Sequence, residues 1–450
     1  MRIQTALRGT AAALTFLLLT IALAELAAWV LLRLSIGAVP SRSEIQASLA
    51  SPARSASGPH TPGEPASPEF MRQHILHPYL GFVRNPAVQH HVFSSRPVAE
   101  PVNEHGFFGP SPLEAGDPKT VRVVITGGSV AADLYLRSSE ALRSELRKSP
   151  QLKGARIRIV CLALDGMKQP QQLLALQYFL SLGASFDVVI NLDGFNEIAL
   201  PFAENVPAGL PVALPRSWQL YTAPLADDRS AILVARMSEK RGQIERIRGF
   251  FSREPFRRSS LSLVLWDRLH ARLRSELAAL EREFRDLLLR SQQGRPDSRV
   301  RPIEEVLAEA TELWTRSSLQ MWKACRSNGS VYVHLLQPNQ YVAGSKPLDA
   351  GERRMEWPPD FPHRLAAEQG YPLLIAAGKG LERLGVPFRD LTRIFEAERE
   401  TIYIDPCCHY NQRGNDMLAA EIGRFVAASL EAEGALPTGP SAGPEERPAS

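Results

Sequence analysis

Cysteine is scarce in this chain: Cys161, Cys325, Cys407 and Cys408 are the only four in 450 residues. None forms a C-x-x-C pair, so the spacing of a structural zinc site is missing, and four thiols are too few for a disulfide-built scaffold of this size. No metal is expected. Cys161 sits in an apolar run and reads as a small buried hydrophobe. An excess of one charge is also lacking: 52 basic against 48 acidic residues leave a net +4, which argues against nucleic acid as a partner of the whole chain. The composition of a fibrous or disordered chain is absent too, since 44% of residues are apolar and 22% charged, close to globular averages. Both common glycine-rich phosphate motifs fail. Residues 126–131 read TGGSVA, without the G-x-G-x-x-G spacing and without a lysine after the glycines, so no nucleotide cofactor is expected.

What is present begins with one long hydrophobic run. Thr10 to Leu32 carries a single charge, Glu25, and is long enough to span a bilayer. Arg2 and Arg8 precede it, so the positive-inside rule keeps residues 1–9 in the cytoplasm and sends the rest outward, to the periplasm if the envelope is bacterial with two membranes. Ala22-Leu23-Ala24 has the small-x-small form of a cleavage site, but the apolar stretch continues past it, and an uncleaved anchor over residues 10–33 is expected. No role is assigned to Glu25. Residues 34–69 are rich in Ser, Pro, Ala and Gly, the composition of a solvated linker, and 434–450 read as a disordered tail. The folded body is then 70–433.

Within it, VRVVIT (121–126), RIRIVCLAL (156–164), FDVVINLD (186–193), SVYVHLL (330–336) and VPFRDL (386–391) are short apolar runs of the kind that form buried parallel strands. Amphipathic stretches at Leu134–Lys148 and Gln171–Leu182 are long enough for crossover helices. The expected fold is α/β, an open and mostly parallel sheet flanked by helices. A helical insertion is expected over about 200–328, with helical patterns near Leu261–Ser291 and Ile303–Asn328, and a last helix over Arg413–Ala432.

Open α/β sheets build sites at the carboxyl ends of their strands. After the first run comes Gly127-Gly128-Ser129, a tight turn that puts a hydroxyl at a helix start; after the second, Asp165-Gly166; after the third, Gly194-Phe195-Asn196-Glu197. Before the last helix comes Asp405-Pro406-Cys407-Cys408-His409. These supply a nucleophile, oxyanion donors, a base and an orienting acid. Gln337 and Asn339, at the end of the fourth strand, are candidates for substrate binding, against the plainer reading of a proline turn with capping amides. His334, inside that strand, reads as a satisfied core histidine.

The combination resembles the SGNH hydrolases, also called the GDSL family, named for a Ser, a Gly, an Asn and a His in separate blocks; the matching residues are Ser129, Gly166, Asn196 and His409. His77-Pro78-Tyr79-Leu80-Gly81-Phe82 and Asn103-Glu104-His105-Gly106-Phe107 are similar to the lead-in of membrane-anchored bacterial members. The resemblance covers roughly 75–200 and 330–430. It implies a catalytic Ser129, His409 and Asp405, an oxyanion hole of Ser129, Gly166 and Asn196, and a three-layer flavodoxin-like sheet. The expected activity is a serine esterase acting on a small acyl ester or acylated envelope carbohydrate; an O-acyltransferase of an envelope polysaccharide and a non-catalytic binding module are the alternatives. Three departures stand out. Block one has Gly-Gly-Ser for Gly-Asp-Ser, block three has Glu197 where Asp is common, and Asp405 lies four residues before His409 instead of three. Either Cys407-Cys408 bulges so that Asp405 still reaches His409, or a Ser–His dyad works with another acceptor. Vicinal cysteines also admit a strained disulfide, against two free thiols.

Between Arg229 and Arg274 the insertion carries twelve Lys or Arg against four Asp or Glu. This reads as a solvated helix face, with attraction of an anionic polymer or lipid headgroups as the functional alternative.

Overall fold

The computed structural model describes residues 2–34, 40–50, 73–88, 91–93, 96–114, 117, 119–218, 221–222, 228–292 and 301–434. The chain divides into two compact units, Met1–Ser57 with Thr222–Ser291, and Gly58–Tyr221 with Gln292–Ser450.

The larger unit opens with two antiparallel hairpins, β1 (His74–His77) with β2 (Gly81–Arg84), and β3 (His91–Phe93) with β4 (Arg96–Val98). Five parallel strands follow: β5 (Thr120–Gly127), β6 (Arg156–Ala163), β7 (Val188–Asp193), β8 (Val331–Leu336) and β9 (Phe388–Asp390), in the spatial order β6-β5-β7-β8-β9. All five expected apolar runs are strands. β7 and β8 are buried along their whole length, because helices cover both faces of the sheet. On one side, helices Ser129–Leu146 and Gln412–Glu433 pack together; on the other, Gln171–Ser181, Ile303–Ser327 and Pro362–Arg383 form a second layer. The strand order reverses at β5, so the crevice beyond the ends of β5 and β7 is the topological switch point.

Two features differ from the sequence reading. The Ile303–Ser327 helix was expected in the insertion, yet it packs under the sheet, where Trp314 is fully buried and its Nε1 donates to Asp193 Oδ1 at 2.7 Å. Its period-3.6 pattern is the same for either location, and only the packing distinguishes them. The Pro362–Arg383 helix was not foreseen, because Pro372 inside it interrupts the helical pattern.

The smaller unit contains helices Arg2–Leu34, Arg42–Ala50, Asp228–Phe251 and Ser260–Gln292. Residues 42–50, expected as linker, are helical instead. Ile45 and Leu49, one turn apart, bury against Leu32, Leu263 and Trp266, and Glu44 Oε2 accepts from the Ser41 N–H at 2.7 Å to close the first turn. Glu25 has a partner too: its carboxylate accepts from Ser259 Oγ at 2.7 Å and from the Ser260 and Leu261 amides at 2.5 and 3.1 Å, capping the Ser260–Gln292 helix. The expected anchor falls within Arg2–Leu34, of which several side chains lie outside those described. Among the described residues no helix is long and apolar enough to cross a membrane. The rest of the expected linker, 51–69, and the tail from 435 on lie outside the described residues.

Part of the basic excess is neutralised inside the unit. Lys240 pairs with Glu276 at 2.7 Å, Arg241 with Glu281 at 3.0 Å and Arg229 with Glu283 at 3.3 Å, so the basic helix lies along the acidic half of its neighbour, just past the counted window.

Candidate active site

β5 ends in two glycines with a steric reason for each. Gly127 has φ +150°, and a Cβ there would stand 2.0 Å from the Leu192 carbonyl of β7; at Gly128 a Cβ would stand 2.2 Å from Asn196 Nδ2. The Asn196 amide therefore lies directly against the turn that carries Ser129, which is half-buried at the first position of its helix. Asn196 Nδ2 also donates to the Met167 carbonyl at 2.9 Å. That bond uses one of its two N–H groups and orients the other. Gly166, one residue earlier, has φ +67°, and a Cβ on it would meet Arg216 Cδ at 2.6 Å.

Asp405 and His409 meet despite the extra residue. His409 Nδ1 and Asp405 Oδ2 are 2.5 Å apart, while Asp405 Oδ1 accepts from the amides of Cys407, Cys408 and His409 at 2.9, 3.0 and 3.3 Å. The loop is closed by Ile404 N–H donating to the His409 carbonyl at 3.1 Å, so the added residue is taken up as a compact bulge around one carboxylate. Asn411 then caps the last helix, accepting from Gly414 N–H at 2.9 Å.

The two helices carrying these ends run parallel and in step. Ser138 Oγ donates to Asp416 Oδ1 at 2.7 Å, and about two turns further on Gly423 packs against Glu145. Asp133, one turn into the Ser129 helix, is close enough to His409 for each to shift the other's titration.

Charges in this corner are strongly coupled. Burial works against a charged His409, but the Asp405 carboxylate outweighs it and raises the imidazole above its ordinary value. Burial likewise opposes ionised Asp405, yet His409 and the loop amides hold its carboxyl below the usual range. Asp133 moves the other way, raised by burial. His409 Nε2, the atom facing away from Asp405, is buried without a hydrogen-bond partner. Phe93 of β3 packs edge-on to the ring at 6.4 Å.

Gln337 and Asn339 do not face outward. Asn339 is fully buried, its Nδ2 donating to the Cys407 carbonyl at 3.0 Å and its Oδ1 accepting from Tyr341 N–H, also at 3.0 Å. Gln337 is buried as well. Gln340 Nε2 donates to the Asp405 carbonyl at 3.1 Å, and the Tyr341 hydroxyl to the Pro406 carbonyl at 2.6 Å. The segment after β8 thus braces the His409 loop, the Asn339 and Gln340 amides donating to backbone carbonyls within it.

Sequence reasoning missed three groups. Asp133 is one; a polar residue four positions after Ser129 in an otherwise apolar helix start was the available signal. Arg216, over Gly166, is held by Glu204 through two bonds of 2.6 and 2.7 Å, and no local pattern announces that pair. Glu352, paired with Lys346 at 2.6 Å, accepts the amides of Ile402 and Tyr403 and fixes the approach to Asp405. A second Ser–His–Asp alignment, Ser318–His334–Asp193 at 2.7 and 2.9 Å, is sealed in the core, where it bridges β8 to the end of β7 and reaches no solvent.

All four cysteines are free thiols. Cys407, Cys408 and His409 each offer a ligand atom, all within 4.8 Å of one another. Burial pushes both thiols above their ordinary titration range.

No family model matches this chain, and no curated protein matches it.

Proposed function

We infer that this protein is a serine esterase of the SGNH kind, with Ser129 as nucleophile, His409 as base and Asp405 as the orienting acid. The observation that carries the reading is the Asp405–His409 pair, held with its outer nitrogen unpartnered and with Asp133 of the Ser129 helix close by. His409 Nε2 takes the Ser129 proton as Oγ attacks the ester carbonyl, and Asp405 keeps Nδ1 protonated so that Nε2 is the accepting atom. The oxyanion is received by the N–H groups of Ser129 and Gly166 and by the Asn196 amide, at the positive end of a helix. The imidazolium then protonates the leaving alcohol, and water releases the acyl group by the same steps reversed. The substrate class is a small acyl ester, including acyl esters on carbohydrate.

The reading extends to placement. Phe16, Leu18, Leu19, Leu23 and Leu26 stand exposed on the Arg2–Leu34 helix, which suits a lipid surround better than water and supports a single inner-membrane anchor with the catalytic unit on the outer, periplasmic side.

The test is labelling of the detergent-solubilised full-length protein with a fluorophosphonate, comparing wild type with Ser129→Ala and His409→Ala. Labelling of wild type alone is the expected result. Equal labelling of wild type and Ser129→Ala overturns the nucleophile, and no labelling of a folded sample leaves a binding module on the same fold.

A further inference from the structure

We propose that Cys407, Cys408 and His409 form a binding site for a thiophilic divalent cation such as Zn²⁺, and that its occupation switches the esterase off. The ligand atoms already lie within 4.8 Å of one another. Two thiolates at ~2.3 Å from a tetrahedral zinc are about 3.8 Å apart, so the site closes with shifts of roughly 1 Å. Such shifts are available to two neighbouring side chains. Two sulfurs and an imidazole are a donor set that favours zinc or copper(I) over magnesium or calcium, which take oxygen ligands.

Two further observations point at the same spot. His409 Nε2 is buried and has no hydrogen-bond partner, which leaves an sp² lone pair or an N–H unused in a protein interior. The Asp405 carboxylate, in contact with His409, gives the loop a negative group that favours a cation. Cys407 is half-buried while Cys408 is buried, so an ion enters over Cys407.

Binding is a proton exchange without electron transfer: the metal ion takes two thiolates and neutral imidazole, and the two thiol protons, with the imidazolium proton where His409 is charged, leave to solvent. Because every ligand atom must be free of its proton, binding weakens as pH falls. The inhibition rests on the serine-hydrolase reading, since a metal on the imidazole occupies the atom that takes the Ser129 proton. Metal binding itself does not rest on it.

The experiment therefore has two arms, both on full-length protein kept reduced. In the first, Cd²⁺ is titrated as a spectroscopic stand-in for zinc into Ser129→Ala, which cannot turn over. A thiolate-to-metal charge-transfer band saturating at one ion per chain is expected, absent from Cys407→Ser/Cys408→Ser. In the second, Zn²⁺ suppresses fluorophosphonate labelling of wild type at least tenfold, a chelator restores it, and Cys407→Ser labels equally with and without zinc. Should Cys408→Ser fail to fold, Cys407→Ser alone carries the comparison, its side chain being the less buried. Absence of the band in folded Ser129→Ala, or a band unchanged in the cysteine variants, overturns the site. A band with no labelling of metal-free wild type upholds the metal site and overturns the esterase reading alone.

Discussion

At the residue scale, His409 sets the pH behaviour. Its titration is raised by Asp405, and the mechanism uses neutral imidazole, so kcat/KM climbs as pH rises through a value above the ordinary histidine range near 6.5. Asp405→Asn removes both the charge and the tautomer lock. The acid limb should move down and kcat fall, on the order of 10⁴-fold for a triad with the wrong tautomer; a pH–rate profile of both proteins checks the shift, and an unmoved limb would detach Asp405 from His409. Gly128 offers a steric test. Gly128→Ala puts a methyl carbon where Asn196 Nδ2 now lies 2.2 Å away, so it displaces the amide without touching Ser129. Its loss of kcat should match that of Asn196→Ala, about 10²–10³-fold. The double variant should lose no more than either single one, because both remove the same donor.

At the element scale, the loop after β8 acts on the site through the backbone of the His409 loop. Asn339→Ala strips a partner from the Cys407 carbonyl and from the buried Tyr341 N–H, at a cost of about 1–3 kcal/mol for a buried group left unsatisfied. The expected result is a lowered Tm together with a lowered kcat, read by thermal melts and steady-state kinetics on the same sample; unchanged kcat in a destabilised protein would sever the loop from catalysis. In the smaller unit, Glu25 caps the Ser260–Gln292 helix from a different helix. Glu25→Ala should cost about 1 kcal/mol of local stability, the scale of a lost cap, and speed hydrogen exchange at the Ser260 and Leu261 amides several-fold. Exchange unchanged at both amides would argue that the cap carries no weight.

At the scale of the whole molecule, buried ion pairs shape the response to acid. Burial alone would raise Glu204, but Arg216 and then His363 outweigh it and hold the carboxyl down at about 2. A carboxylate depressed from its ordinary 4.5 lends stability above that value and loses it as pH falls toward 2. Acid melts of wild type should therefore show a steep loss between those limits. Glu204→Gln should flatten it while lowering stability at neutral pH by about 1–3 kcal/mol, because Arg216 loses the carboxylate that pairs with it. The folded body also depends on the last helix. The last helix lies beside the Ser129 helix, so truncation before Gln412 should unfold the sheet instead of merely removing a tail.

The residues themselves determined the strands and their direction: runs such as VVINLD and VYVHLL are mostly apolar with little alternation, the pattern of a strand in a sheet covered on both faces. They also determined where to look, because Gly127-Gly128-Ser129 and Gly194-Phe195-Asn196 follow strand ends at the switch point. Tertiary structure alone decided the rest. That Asp405 reaches His409 across one extra residue depends on three amides converging on a single carboxylate oxygen, a geometry that no spacing rule encodes. Whether a helix belongs to the insertion or to the sheet, whether Asn339 faces a ligand or a buried carbonyl, and whether Ile45 and Leu49 dangle in a linker or seal a core are matters of what lies opposite each side chain. Such partners are distant in sequence, and periodicity carries no record of them.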